Sequence, residues 1–220
     1  MFPPNWFLPF DAAFQVLTAF IALAVSLYSL HGHRWIGERT LYALFLAFLM
    51  LSIGLFINGI TLTYSTLAGV TFSGNGSSSV IADIGFWAYY IMSILAYSLL
   101  VYAYADRLRG PSAVVAAAGA GMGRGWGGGI GQTLVAAGPI MELVLVILLL
   151  VVVIAQLAHL TVKRNRFSVT VTLSFVLLLI SHILIMFSSL EDTIYVAGRL
   201  FELGGFITLL IMLAGLRRAG

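Results

Sequence analysis

Five ionisable side chains stand inside or against the apolar runs of this sequence: Glu142, His182, Arg199, Glu202 and Arg124. A charge isolated in an apolar helix is expensive, so each is a candidate either for a site or for a pairing. Arg199 and Glu202 are spaced i, i+3, which puts them on one helix face within pairing reach. Histidine titrates near neutral pH, so His182 together with Glu202 suits proton carriage. The same two side chains, with Phe201 and Phe206 nearby, also suit hydrogen bonds to a quinone head group. A b-type haem needs two facing axial ligands, and His182 has no second histidine at its depth, because His31, His33 and His159 fall at the other helix ends. His31 and His33, spaced i, i+2, suit a metal-binding turn, but Glu38 alone accompanies them. No metal or cofactor is therefore assigned, with haem b and quinone the two that the residue types come nearest to holding. The structural alternative is that Glu142, Arg199 and Glu202 fasten a helix bundle near the membrane interface while a neutral His182 bonds a hydroxyl or carbonyl.

Other chemistries are excluded more firmly. The chain has no cysteine, which removes disulfides, thiolate zinc sites, iron–sulfur clusters and thiol nucleophiles. No HExxH, G-x-S-x-G or Ser–His–Asp spacing appears, so no catalytic residue is assigned. The glycines of "GAGMGRGWGGGIG" (119–131) lack the strand-to-helix context of a phosphate-binding loop. A formal charge of +3 and a pI near 9.4 do not imply nucleic acid, because the basic residues sit at helix ends, where anionic lipid head groups are the natural partner.

The elements that must position these residues follow from hydropathy. With 61% hydrophobic and 9% charged residues, the chain cannot cover itself with a polar surface. It reads as an all-α integral membrane protein with six clear spans, at 9–31, 40–62, 81–105, 139–161, 167–189 and 193–215. A β-barrel needs polar and apolar residues to alternate, which "LVLVILLLVVVIAQLA" (143–158) does not. The N-terminal stretch lacks the basic region and cleavage site of a signal peptide, so Met1 is expected to remain.

Residues 14–62 and 141–190 read alike, each as apolar helix, histidine, short basic turn and apolar helix, and a third helix with a basic tail closes each half. The expected organisation is a first three-helix membrane unit over 1–110, a Gly-rich linker over 111–131 and a second three-helix unit over 132–220. Arg34, Arg39, Arg107 and Arg109 occupy the turns and tail of the first unit, and Lys163, Arg164, Arg166, Arg217 and Arg218 those of the second. Parallel units put all of them on one face, whereas an inverted second unit divides them between two. Asp11, Asp83, Glu191 and Asp192 mark the opposite face. The positive-inside rule then favours parallel units in the cell membrane, N-terminus outside and C-terminus cytoplasmic. That arrangement needs a seventh crossing, and residues 111–131 as a helix would reach about 31 Å. Six crossings with an inverted repeat is the alternative. In the seven-crossing plan Arg124 pairs with Glu142 or Glu202, and Gly121, Gly125 and Gly128 form a close-packed face.

In this plan Glu142, His182, Arg199 and Glu202 all lie in the outer third of the second unit. The matching region of the first unit offers Asn58, Tyr89, Tyr90 and Ser93, none charged at neutral pH. Three helices, a linker helix and three parallel helices resemble the plan of the SWEET sugar transporters and, more loosely, of seven-helix rhodopsins. The resemblance is one of architecture alone: 193–215 holds no lysine for a retinal Schiff base, and Pro9 and Pro139 stand only at the outer entrance of the first helix of each unit. Lacking soluble domains, long loops and catalytic motifs, the chain is expected to be a non-catalytic component of a larger membrane assembly, such as an accessory or anchoring subunit of a respiratory or transport complex. The alternative is a small-solute or proton-coupled transporter, and a membrane sensor is third. Expected partners are the lipid bilayer and other membrane subunits or further copies of the chain.

Overall fold

The computed structural model describes residues 6–67, 77–105, 130–162 and 166–219. Six helices occupy them: α1 (Leu8–Ile36), α2 (Arg39–Leu67), α3 (Ser77–Ala105), α4 (Ile130–Val162), α5 (Arg166–Met186) and α6 (Asp192–Ala219). All six are long and apolar enough to cross a membrane. No strand is present among the described residues. The helix is what such sequences require, since in hydrocarbon only internal hydrogen bonds can satisfy the backbone.

Most helices extend beyond the spans of the sequence reading, and at two ends the extension changes where named residues stand. Helix α1 continues to Ile36, and only Gly37 and Glu38 separate it from α2. Gly37 makes this turn possible by taking φ 72° and donating its N–H to the His33 carbonyl. His31 and His33 therefore stand in the last turns of a helix, where an i, i+2 pair points to different sides and cannot grip one metal ion. Instead His31 lies tilted against Trp35, and His33 lies against Tyr42 and bonds the Glu38 carbonyl. Helix α4 begins at Ile130, so Pro139 lies inside the helix instead of at its entrance. A proline removes one internal hydrogen bond, a local loss that the apolar run on either side of it can absorb. The rest of the Gly-rich linker, with Arg124, Gly121, Gly125 and Gly128 and their expected contacts, lies outside the described residues.

Each helix packs on the next in chain order, and α6 returns to α1 to close the ring. Cross-helix contacts give the directions. Ser26 Oγ donates to the Phe45 carbonyl and Ser52 Oγ to the Ala19 carbonyl, so α2 runs against α1. Gly54 lies against Met92 and Tyr89 while Gly85 lies against Thr61, so α3 runs against α2. Tyr97 meets His182 and Tyr104 meets Phe175, so α3 runs against α5. Helix α4 also runs against α5, because Glu142 near its start meets His182 near the end of α5. Helices α3 and α4 consequently run in the same direction. Gly198 against Ser181 and Ile185, with Gly205 against Ser174 and Leu178, sets α6 against α5. Thus α1, α3, α4 and α6 start at one end of the ring, and α2 and α5 run back to it.

The interior is a continuous apolar core in which Phe48 of α2 and Phe206 of α6 meet edge to face across the ring, with Leu55, Leu100, Leu145, Phe175 and Leu178 wholly buried around them. Only 39–44% of each apolar window is buried within the protein. The remaining surface carries Phe10, Leu17, Phe20 and Leu27 on α1 and Leu143, Ile147, Leu150 and Ile154 on α4. A coat of this kind fits a lipid bilayer and no aqueous phase.

Candidate functional site

The end of the ring at which α1, α3, α4 and α6 begin is polar inside. On α4, Glu142 is 1% exposed and holds two partners: the Tyr90 hydroxyl donates to Oε1 at 2.5 Å, and His182 Nδ1 lies 2.7 Å from Oε2. On the far side of the same imidazole, Nε2 is 3.0 Å from the Tyr97 hydroxyl. If Nδ1–H donates to the carboxylate, Nε2 accepts from Tyr97 and all four groups are satisfied with a neutral ring. A proton added at Nε2 turns Tyr97 into the acceptor. The chain Tyr97–His182–Glu142–Tyr90 therefore leaves α3 and re-enters it seven residues away, two helical turns, as a relay able to hold a proton in more than one place.

A second group is centred on Arg199 of α6, which is 8% exposed. Its Nη1 donates to Glu202 Oε2 at 2.7 Å, so the i, i+3 pair expected from the sequence forms. Its Nε and Nη2 donate to the Tyr195 hydroxyl at 3.1 and 2.9 Å, and Tyr195 in turn donates to Asp11 Oδ2 at 3.0 Å. Nε is also 3.0 Å from Asp11 Oδ1. The N–H is directed at Tyr195, however, so this is contact between charges without an aligned hydrogen bond, and Oδ1 has no hydrogen-bond partner. Gln15 donates to Asp11 Oδ2 and accepts from Asn58, which extends the group to α2. Arg199 can lie this deep because Gly198 beside it has no side chain: a Cβ there would come within 2.8 Å of Ile185 and 3.2 Å of the Ser181 carbonyl.

Tyr89 is buried on α3 with its ring edge to face against that of Tyr90. Three buried carboxylates (Asp11, Glu142 and Glu202) thus face one guanidinium and one imidazole. Even with His182 protonated the set is one charge negative.

The fold thus brings Glu142, His182, Arg199 and Glu202 into one layer, but as two pairs of different chemistry. Arg124 lies outside the described residues, and among those described Glu142 and Glu202 are held by other groups. Asp11, placed by the sequence reading at a membrane face, is instead fully buried and supplies the charge that the first unit lacked. Its i, i+4 spacing to Gln15 and the i, i+4 spacing of Tyr195 to Arg199 were the available signals. Tyr97 carried none, since one tyrosine in an apolar helix does not reveal its partner. Phe201 is 38% exposed and Phe206 packs on Phe48, so these two do not form a slot beside His182. No group of three or more histidine or acidic residues placed to hold a metal ion occurs among the described residues. No protein family matches this sequence, and no curated protein or solved structure is detectably similar to it.

Proposed function

We propose that this chain is a proton-coupled membrane transporter for a small solute, which takes up and releases its proton at the Glu142–His182 pair. The observation that carries this reading is the surplus of buried carboxylates beside a histidine bonded on both ring nitrogens. A component that only anchors a larger assembly needs an apolar outer surface, and it gives no reason to bury three carboxylates against one arginine. The polar contacts also fall where moving parts would meet. Tyr90 and Tyr97 bond across to Glu142 and His182 at one seam between the first three helices and the last three, and Asp11 meets Arg199 and Tyr195 at the other.

In this reading the two sets of three helices are parallel repeats joined by a seventh crossing. The common direction of α3 and α4 supports it, because α3 ends at the face opposite the one where α4 begins. Arg34 and Arg39 stand at the end where α1 finishes, and the positive-inside rule makes that end cytoplasmic, with the polar layer toward the outside of the cell membrane.

The test is purified protein in liposomes with a trapped pH indicator, challenged with a panel of amines, carboxylates, sugars and amino acids. The expected result is a pH change driven by at least one solute class in the native protein and lost in Glu142→Gln. A native protein that moves no proton with any solute, and that leaves its own membrane in fixed ratio with other subunits, would establish the assembly component instead.

A further inference from the structure

We infer that Ser93 completes a binding site for one hydrated proton, a single water held between its hydroxyl and the Glu142–His182 pair. The inference rests on the proton-coupled reading and adds a ligand and a residue to it. Several buried serine hydroxyls of this protein satisfy themselves against carbonyls: Ser29, Ser65 and Ser174 bond the carbonyl four residues back, and Ser26 and Ser52 bond a neighbouring helix, whereas the hydroxyls of Ser93, Ser168 and Ser181 have no such bond. Ser93 is fully buried and bonds nothing. The backward bond is open to any serine in a helix. Ser93 stands three residues after Tyr90 and four before Tyr97, on the α3 face from which both tyrosines reach the pair. It therefore stands on α3 between the two residues at which the relay leaves and re-enters that helix.

A buried water needs two to four polar partners. The Ser93 hydroxyl, the Glu142 carboxylate and the two tyrosine hydroxyls are of the right kind, and the negative surplus of the layer favours a protonated occupant. Groups on the other elements share the field: Asp11 on α1, Arg199 and Glu202 on α6, and Tyr89 beside Ser93 on α3.

The experiment is a pH titration of 15N-histidine-labelled full-length chain in lipid nanodiscs, following His182 by NMR in the native protein and in Ser93→Ala. A purely structural hydroxyl predicts an unchanged midpoint, and its removal should leave thermal stability the same or higher, because it relieves an unbonded buried polar group. The proposal expects that same unreduced stability with the midpoint moved by one pH unit or more, a tenfold change in proton affinity. The titration is repeated with Na+ replaced by a bulky organic cation, which should leave the native midpoint in place. A midpoint that Na+ lowers would make the occupant an alkali ion and overturn the proposal. An unmoved midpoint in Ser93→Ala overturns it too while leaving the proton-coupled reading intact, whereas a His182 that does not titrate at all removes both.

Discussion

The Nε of Arg199 lies 3.0 Å from Oδ1 of Asp11, a contact that joins the last helix to the first and closes the ring. The same guanidinium also serves Glu202, so its loss would leave two buried carboxylates with no cation. Breaking a buried pair by removing one partner costs about 3–5 kcal/mol. Arg199→Gln should therefore lower thermal stability in detergent by roughly 10 °C, at about 2–4 °C per kcal/mol for a chain of this size. Asp11→Asn differs in kind, because Arg199 keeps Glu202 and the negative surplus falls by one. Its cost should be about 1 kcal/mol or less. Equal losses from the two substitutions would show that the charge count does not govern this layer.

The two tyrosines of the relay should be unequal. Tyr90 donates to a carboxylate, a bond worth about 1.5–3 kcal/mol, whereas Tyr97 bonds an imidazole, worth about 1 kcal/mol while the ring is neutral. Tyr90→Phe should destabilise more than Tyr97→Phe. In a double-mutant cycle with Glu142→Gln, Tyr90→Phe should show a coupling of about 1 kcal/mol or more. An additive cycle would mean that the short contact contributes nothing in the folded protein.

Two glycines of α6 offer a paired test of packing. At Gly198 a Cβ would sit 2.8 Å from Ile185 and 3.2 Å from the Ser181 backbone, whereas at Gly204 nothing lies within 4 Å. Gly198→Ala should push α6 away from α5 beside Arg199 and cost about 1–3 kcal/mol. Gly204→Ala should be neutral or stabilise by up to about 1 kcal/mol, because alanine is the better helix former. Thermal unfolding of the two variants side by side decides it, and the opposite ranking would contradict the α5–α6 approach described above.

Much of the fold was legible because a helix that crosses lipid must be apolar over nearly its whole length. Length and hydropathy alone therefore place α5 and α6 to within a few residues. The misreadings share a cause. Asp11 sits just after Pro9 at the start of an apolar run, and position along one helix cannot say whether such an acid faces head groups or turns inward. That depends on Arg199, far away in the sequence, being at the same level. Likewise the i, i+3 spacing reveals that Arg199 meets Glu202, since that contact is local. It cannot reveal that Glu142 meets His182 and Tyr90, because those contacts depend on which helices become neighbours.

The relation between the two halves is open to a test with single cysteines, since the native chain has none. Ile36 and Thr161 are exposed near the ends of α1 and α4, the first helices of the two proposed units. Leu67 and Leu190 are 83% and 76% exposed at the other end of the ring, after α2 and α5. Parallel units require Ile36 and Thr161 to share one face and Leu67 and Leu190 the other, whereas an inverted second unit divides each pair. With the basic end inside, an impermeant thiol reagent added to intact cells should label Leu67→Cys and Leu190→Cys, and should reach Ile36→Cys and Thr161→Cys only after permeabilisation. The common direction of α3 and α4 is what drives this expectation. In the proposed reading α3 ends on the face where α4 also ends, which is why that reading includes a seventh crossing. Labelling Ile36→Cys and Thr161→Cys from opposite sides would remove the crossing and the parallel repeat together. It would also separate Tyr97 from His182, so the relay itself depends on the outcome.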